Sequence, residues 1–168
     1  IAAWDGTLTR ETVAGALYVR WEDEVDSRAL NQNTPLAERQ SLIEEGLRAT
    51  ITRLTSELGA DRSQWRHGRV HLSDLPHMMA SVWDLPSVER PGGFGSVNAT
   101  GANFRRIIDL SDLTRTVATN APGQSAQPGS PFYGNLSEHL GNEEYFPLLW
   151  AREDVEAGAA YRLTLEPR

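Results

Sequence analysis

The 168 residues include no cysteine and no lysine. Lack of cysteine removes disulfides, thiol nucleophiles and thiolate metal sites together. It leaves the compartment open, because large exported proteins can do without disulfides. Lack of lysine removes Schiff-base chemistry and a side-chain amine nucleophile; each of the 16 basic residues is an arginine. No apolar run approaches the roughly 18 residues that would suggest a membrane span. A Gly-x-Ser-x-Gly elbow, a His-Glu-x-x-His pair and a Gly-Lys-Ser/Thr phosphate loop are missing as well.

What is present suits a globular chain: 39% hydrophobic residues at single-domain size are enough for a core. Sixteen basic residues against 23 acidic ones give a net charge of −7. A phosphate-backbone binder needs clustered cations, so nucleic acid is not expected as a partner; nor, without a long apolar run, is a membrane. Ile1 is no initiator residue and no charged, then apolar, leader precedes it, so processing or a cut at the gene level is expected to have made this terminus.

Val13, Leu17, Trp21 and Val25 recur at every fourth position among Arg20, Glu22, Asp23 and Glu24, which predicts an amphipathic helix. Asn31-Gln32-Asn33 breaks it. Thr34-Pro35 reads as a cap followed by proline in the first turn, and Ile43, Leu47, Ile51, Leu54 and Leu58 carry a second stripe to Gly59. Residues 1–60 are therefore expected as a helical hairpin. Residues 61–91 hold turn formers with Trp65, Met78, Met79 and Trp83, and read as an irregular, packed connector. Beyond Pro91-Gly92-Gly93 the pattern turns β-like: strands are expected at 97–100, 104–110 and 114–118. Residues 121–133 are a loop by composition. Short helices follow near 136–144 and from Glu153-Asp154, whose acids suit a helix start. Tyr161-Arg162-Leu163-Thr164-Leu165-Glu166 alternates as a strand with one buried face would. The class is α+β.

Several constellations invite chemistry. His67 and His71 have i, i+4 spacing, with Asp74 and His77 beyond, but Gly68 and Pro76 interrupt the segment and packed, hydrogen-bonded histidines are the expectation; no metal is assigned. Ser125 with His139 and an aspartate could make a triad by geometry, yet serines in a Pro/Gly loop usually serve turns. Glu143-Glu144 and Glu153-Asp154 read as solvated acids rather than an acid/base pair. Pro91-Gly92-Gly93-Phe94-Gly95 reads as a close approach of backbone before a strand. Trp4, Trp21, Trp65, Trp83 and Trp150 are spread along the chain and read mostly as core.

A set of ordered motifs goes further. Trp4-Asp5-Gly6 with Ala16-Leu17-Tyr18 and Trp21 comes first, then Trp65-Arg66-His67-Gly68-Arg69-Val70-His71 with Pro76-His77. Gly92-Gly93-Phe94-Gly95-Ser96-Val97-Asn98-Ala99 and Phe104-Arg105-Arg106-Ile107-Ile108-Asp109-Leu110-Ser111-Asp112 follow. Pro122-Gly123-Gln124-Ser125, Ser130-Pro131-Phe132-Tyr133 and Asn142-Glu143-Glu144-Tyr145-Phe146-Pro147 close the series. Together they resemble the C-terminal part of the β-subunit in the penicillin acylase (penicillin amidase) family. The chain departs from the family at Phe94, where an aspartate is common, at Phe132, where a histidine is, and at Ala126, often a glycine.

The resemblance implies a single segment, 1–168, forming the C-terminal portion of a four-layer αββα N-terminal-nucleophile hydrolase. Such a precursor cleaves itself, and the serine so exposed uses its own α-amino group as base. The family's nucleophile and oxyanion donors lie upstream of the tryptophan-aspartate-glycine segment, so no catalytic residue, metal or cofactor is assigned to this chain. Because the glycine-rich turn approaches the active centre in relatives, Arg90, Gly93, Phe94 and Asn98 become pocket or supporting candidates. Expected partners are the other chains of the same precursor and a small N-acyl substrate: a β-lactam side-chain amide, or alternatively an acyl-homoserine lactone or lipopeptide. A non-catalytic binding module is the rival reading. The expected location is periplasmic or secreted in a bacterium.

Overall fold

The computed structural model describes residues 3–93, 96 and 104–166. It divides into two compact units, Ile1–Thr100 and Gly101–Arg168. Five helices and two small sheets occur among the described residues, an α+β arrangement with the long helices first.

In the first unit α1 (Val13–Glu24) and α2 (Leu36–Leu58) pack against each other. Apart from Leu54, the buried residues of these two helices are small. Ala16 and Gly15 are buried in α1, Gly15 on the side facing Leu8 and His67, and Gly46, Thr50 and Leu54 form an i, i+4 line along α2. The second apolar stripe is thereby corrected: Ile51 is exposed, and Ile43 and Leu47 flank the contact half-buried. Small residues win the contact because they let the backbones approach. A Cβ on Gly46 would lie 3.1 Å from Val25 Cα and 3.3 Å from Trp21 Nε1. The Thr50 hydroxyl donates back to the Gly46 carbonyl at 2.8 Å, so its polar group is paired in that buried setting. Arg53 joins the helices by reaching Glu24 at 2.8 Å and Glu57 at 2.9 Å.

Thr34 does not cap α2. Pro35 holds the N-cap position without a side-chain bond, and its carbonyl accepts from Arg39 N at 3.0 Å. Gly59, at φ 88°, stops the helix. Its carbonyl then takes the indole N–H of buried Trp65 at 2.8 Å, which ties the helix end to the next segment.

The stretch read as irregular contains α3 (His67–Val70) and an antiparallel pair, β1 (Leu72–Leu75) with β2 (Leu85–Glu89). These strands carry little sequence signal, because Leu-Ser-Asp-Leu and Leu-Pro-Ser-Val-Glu are poor in β-branched residues and one carries a proline. Proline is tolerated in a two-stranded ribbon, where each strand has an open edge.

The second unit is built on an antiparallel sheet ordered β3 (Phe104–Ile107), β4 (Val117–Asn120), β5 (Phe146–Pro147). Its strands are shorter than or shifted from the alternation in the sequence. Asp109 accepts from Ser111 N at 2.9 Å and Asp112 from Thr114 N at 3.0 Å, so local turns end β3 and delay β4. Two short helices, α4 (Ser137–Gly141) and α5 (Arg152–Gly158), lie where short helices are expected. The expected strand at 161–166 is corrected: the segment joins no ladder, and its apolar residues Tyr161, Leu163 and Leu165 stay exposed. A strand exists only through a neighbour, and no described strand pairs with this one. The expected strand at 97–100 lies outside the described residues.

Candidate functional site

Three separate stretches of the first unit meet around one open cleft of about 660 Å3, lined by residues including Gly6, Leu8, Tyr18, His67, His71 and Gly93. The N-terminal stretch enters through a side-chain-stitched turn. Asp5 Oδ1 accepts from Thr7 N at 2.9 Å, the Trp4 indole donates to the Thr7 carbonyl at 3.0 Å, and Gly6 sits at φ 86°. The Thr7 amide and hydroxyl hold the Asp5 carboxyl below its ordinary range. Beyond this turn the backbone lies along the other stretches: the Leu8 carbonyl accepts from Gly92 N at 2.7 Å, Arg10 O from Gly68 N at 2.8 Å, and Thr12 O from His67 N at 3.0 Å.

Helix α1 supplies one wall. Tyr18 packs its ring 5.6 Å from that of Trp4 and 6.2 Å from that of Trp21, and its hydroxyl donates to Glu22 at 2.9 Å. That bond to a carboxylate pushes the Tyr18 phenol above its usual range. Tyr18 and Glu22, four apart on a predicted helix, were the legible signal for this wall, and sequence reasoning passed over them as site residues.

The floor is a histidine pair. His67 and His71 have ring centroids 5.1 Å apart, and each is held by a backbone carbonyl: Gly92 O lies 2.7 Å from His67 Nε2, and Arg90 O 3.2 Å from His71 Nδ1. Burial lowers both imidazole pKa values, and for His71 the neighbouring His67 adds to the lowering. Both rings are therefore neutral at pH 7 and serve as donors to those carbonyls. Among the described residues no group of three or more ligand-type side chains is placed to hold a metal.

Two of the four residues singled out from the sequence come together here. Arg90, buried, brackets His71 through its main chain, donating its N–H to the His71 carbonyl at 3.0 Å while its own carbonyl faces the His71 ring. Its guanidinium reaches Ser73 Oγ at 2.7 Å. Gly93 lines the cleft, donates to Ser96 Oγ at 3.1 Å and accepts back from that hydroxyl at 2.7 Å. A Cβ there would press on Leu8 Cδ1 at 3.0 Å. Phe94 and Asn98 lie outside the described residues.

The second unit holds the serines of the Pro/Gly loop. Ser125 Oγ accepts from Gln127 N and Ser130 Oγ from Phe132 N, both at 3.2 Å, as serines in turns do. His139 pairs with Glu144 instead, and neither serine hydroxyl is bonded to a histidine among the described residues. Glu153 and Asp154 sit exposed in the first turn of α5.

The model of the penicillin amidase family matches residues 1–157. The chain belongs to that family. Two curated relatives are both named acyl-homoserine lactone acylase QuiP. The one from Pseudomonas syringae pv. tomato is 26% identical over 155 residues, 80% of this chain and 19% of the relative. The one from Pseudomonas syringae pv. syringae is 24% identical over 155 residues, with the same shares of each chain. The chain thus spans 19% of the length of the curated relatives it matches. In this member of the family, the three motif stretches around Gly6, His67 and Gly92 are distant in sequence and converge on the cleft just described.

Proposed function

We propose that this chain serves an N-acyl amide hydrolase, its nucleophilic N-terminal serine being carried by another chain of the same processed precursor. The observation that carries this reading is the family match across residues 1–157. The names of the two relatives favour an N-acyl-homoserine lactone over a β-lactam amide as substrate. In this reading the serine oxygen bonds to the amide carbon while its proton passes to its own α-amino group; the C–N bond then breaks as that proton reaches the departing amine. Water cleaves the resulting ester, releasing the acid and restoring the serine. Backbone donors on the companion chain stabilise the oxyanion.

This chain's part is structural. The carbonyls of Arg90 and Gly92, held by His71 and His67, set the course of the backbone into the glycine-rich turn. The unpaired, alternating segment 161–166 supports an assembly in which another chain supplies its neighbouring strand. We place the assembly in the periplasm or outside the cell. No helix among the described residues is long and apolar enough to cross a membrane.

Expression of the complete precursor tests the reading. The purified assembly is expected to release homoserine lactone from a medium-chain N-acyl-homoserine lactone faster than it cleaves a phenylacetyl β-lactam, while this chain alone releases neither amine. Turnover by this chain alone would overturn the placement of the nucleophile. An assembly inactive on both amides would overturn the hydrolase reading.

A further inference from the structure

Helix α3 is the hub of the cleft. Its backbone takes the N-terminal stretch, His67 N donating to Thr12 O at 3.0 Å and Gly68 N to Arg10 O at 2.8 Å. Its side chains take the segment before the glycine-rich turn, with Gly92 O on His67 Nε2 and Arg90 O on His71 Nδ1. Gly92 is held at both its polar groups, because its N–H also donates to Leu8 O at 2.7 Å. A carbonyl only accepts, so His67 Nε2 carries the proton and Nδ1 is the nitrogen that an added proton must take. That Nδ1 is buried and has no hydrogen-bond partner among the described residues. Protonated in place, the ring would be a buried cation with one N–H lacking an acceptor.

We infer that His67 is an acid-released latch: on taking a proton its ring turns from Gly92 O toward the cleft and frees that carbonyl, while His71 stays neutral on Arg90 O. The cleft is open, so ring and carbonyl can each exchange their mutual bond for one to water. The charges around His67 favour that turn. From α1, Glu22 and Asp23 line the cleft; Glu22 accepts from the Tyr18 hydroxyl and Asp23 pairs with Arg20 and Arg53. From β2, Glu89 meets Arg66, and the Arg90 guanidinium reaches Ser73. Arg10 of the N-terminal stretch approaches Glu11, and Arg69 of α3 reaches Gln64. Among the described residues no arginine lines the cleft, so an imidazolium there meets carboxylates on the wall. Burial holds the His67 pKa below 6.5, which keeps the latch closed at neutral pH and opens it on acidification. His71 does not follow: burial lowers its pKa, and a charged His67 with its ring 5.1 Å away lowers it further. The latch stands apart from the hydrolase reading and needs no particular substrate.

Amide hydrogen exchange of the complete protein at pH 7.5 and pH 5, scaled for the intrinsic effect of pH and resolved by residue through electron-transfer fragmentation, tests the latch. Protection of the Gly92 amide is expected to fall about tenfold at pH 5, the fold-change of losing one hydrogen bond of ordinary strength. Amides of α2 and the Arg90 amide, which His71 O holds, are expected to keep their protection. Undiminished protection of Gly92 at pH 5 overturns the latch, as does an equal loss throughout α2, which would be general unfolding. In the complete protein, His67→Gln is expected to make Gly92 protection the same at both pH values, and His71→Gln to preserve the loss at pH 5. A loss that persists in His67→Gln, or vanishes only in His71→Gln, overturns the assignment to His67.

Discussion

The His67 imidazole and the Gly92 carbonyl lie 2.7 Å apart although 25 residues separate them in the chain. Through this bond α3 holds the backbone that leads into the glycine-rich turn. His67 is 1% exposed, so the ring gives up water to make the bond and remains neutral.

This neutrality has a pH consequence. The pKa values of His67 and His71 are lowered from 6.5 in the folded chain, so the unfolded chain binds more protons in the acid range. Their stabilisation is fully present above about pH 6.5 and is lost as pH falls through the lowered folded values. Urea midpoints of the assembled protein, followed by tryptophan fluorescence, should fall from pH 7.5 to pH 5. His67→Gln, which keeps a donor for Gly92 but cannot titrate, should flatten that fall. A midpoint that rises on acidification would contradict the buried, neutral pair.

Gly46→Val should destabilise the α1–α2 contact by about 1–3 kcal/mol, because added methyl groups in a packed contact force backbone shifts. The neighbour in the way is Val25 Cα, which is backbone and cannot swing aside. A shift of the urea midpoint at unchanged slope measures it; an unaltered midpoint would mean the helices do not approach this closely.

Arg90→Met keeps the length of the stem but removes the donor to Ser73 Oγ. The loss should be about 1–3 kcal/mol, the range for a hydrogen bond made by a charged group that is here part-buried. Amide turnover by the assembly should fall with it if Arg90 braces the turn. Full turnover and an unchanged midpoint would remove Arg90 from the support of this site.

Ser125→Ala and Ser130→Ala each delete one turn bond and should cost less than about 1 kcal/mol. If the proposed hydrolase reading holds, amide turnover by the complete protein should stay within twofold. A loss of a thousandfold in either folded variant would mark that serine as the nucleophile. Gly123→Ala is the contrasting change in the same loop: a Cβ there would sit 2.8 Å from the Tyr133 carbonyl oxygen, so the loop itself would have to move.

Much of this was legible in the order of residues. The period of Val13, Leu17 and Trp21 marked α1, Gly59 marked the end of α2, and the acids Glu153 and Asp154 marked the start of α5. The ordered motifs identified the family, because each reports a local backbone need such as the Trp4-Asp5-Gly6 turn. Hidden from such reading were the β1–β2 pair, the burial of Gly46 in place of Ile51, and Tyr18 in the cleft wall. Each depends on what lies opposite, and neither propensity nor period carries that information. The same holds for the alternating segment 161–166: its residues are suited to a strand, but a ladder needs a second backbone at hydrogen-bonding distance. By itself the sequence determined family, class and local turns, since these follow from short-range sterics and spacing. Only the tertiary structure decided that Gly6, His67 and Gly92 share one cleft, because backbone bonds between remote residues, such as Gly92 N to Leu8 O at 2.7 Å, brought them there.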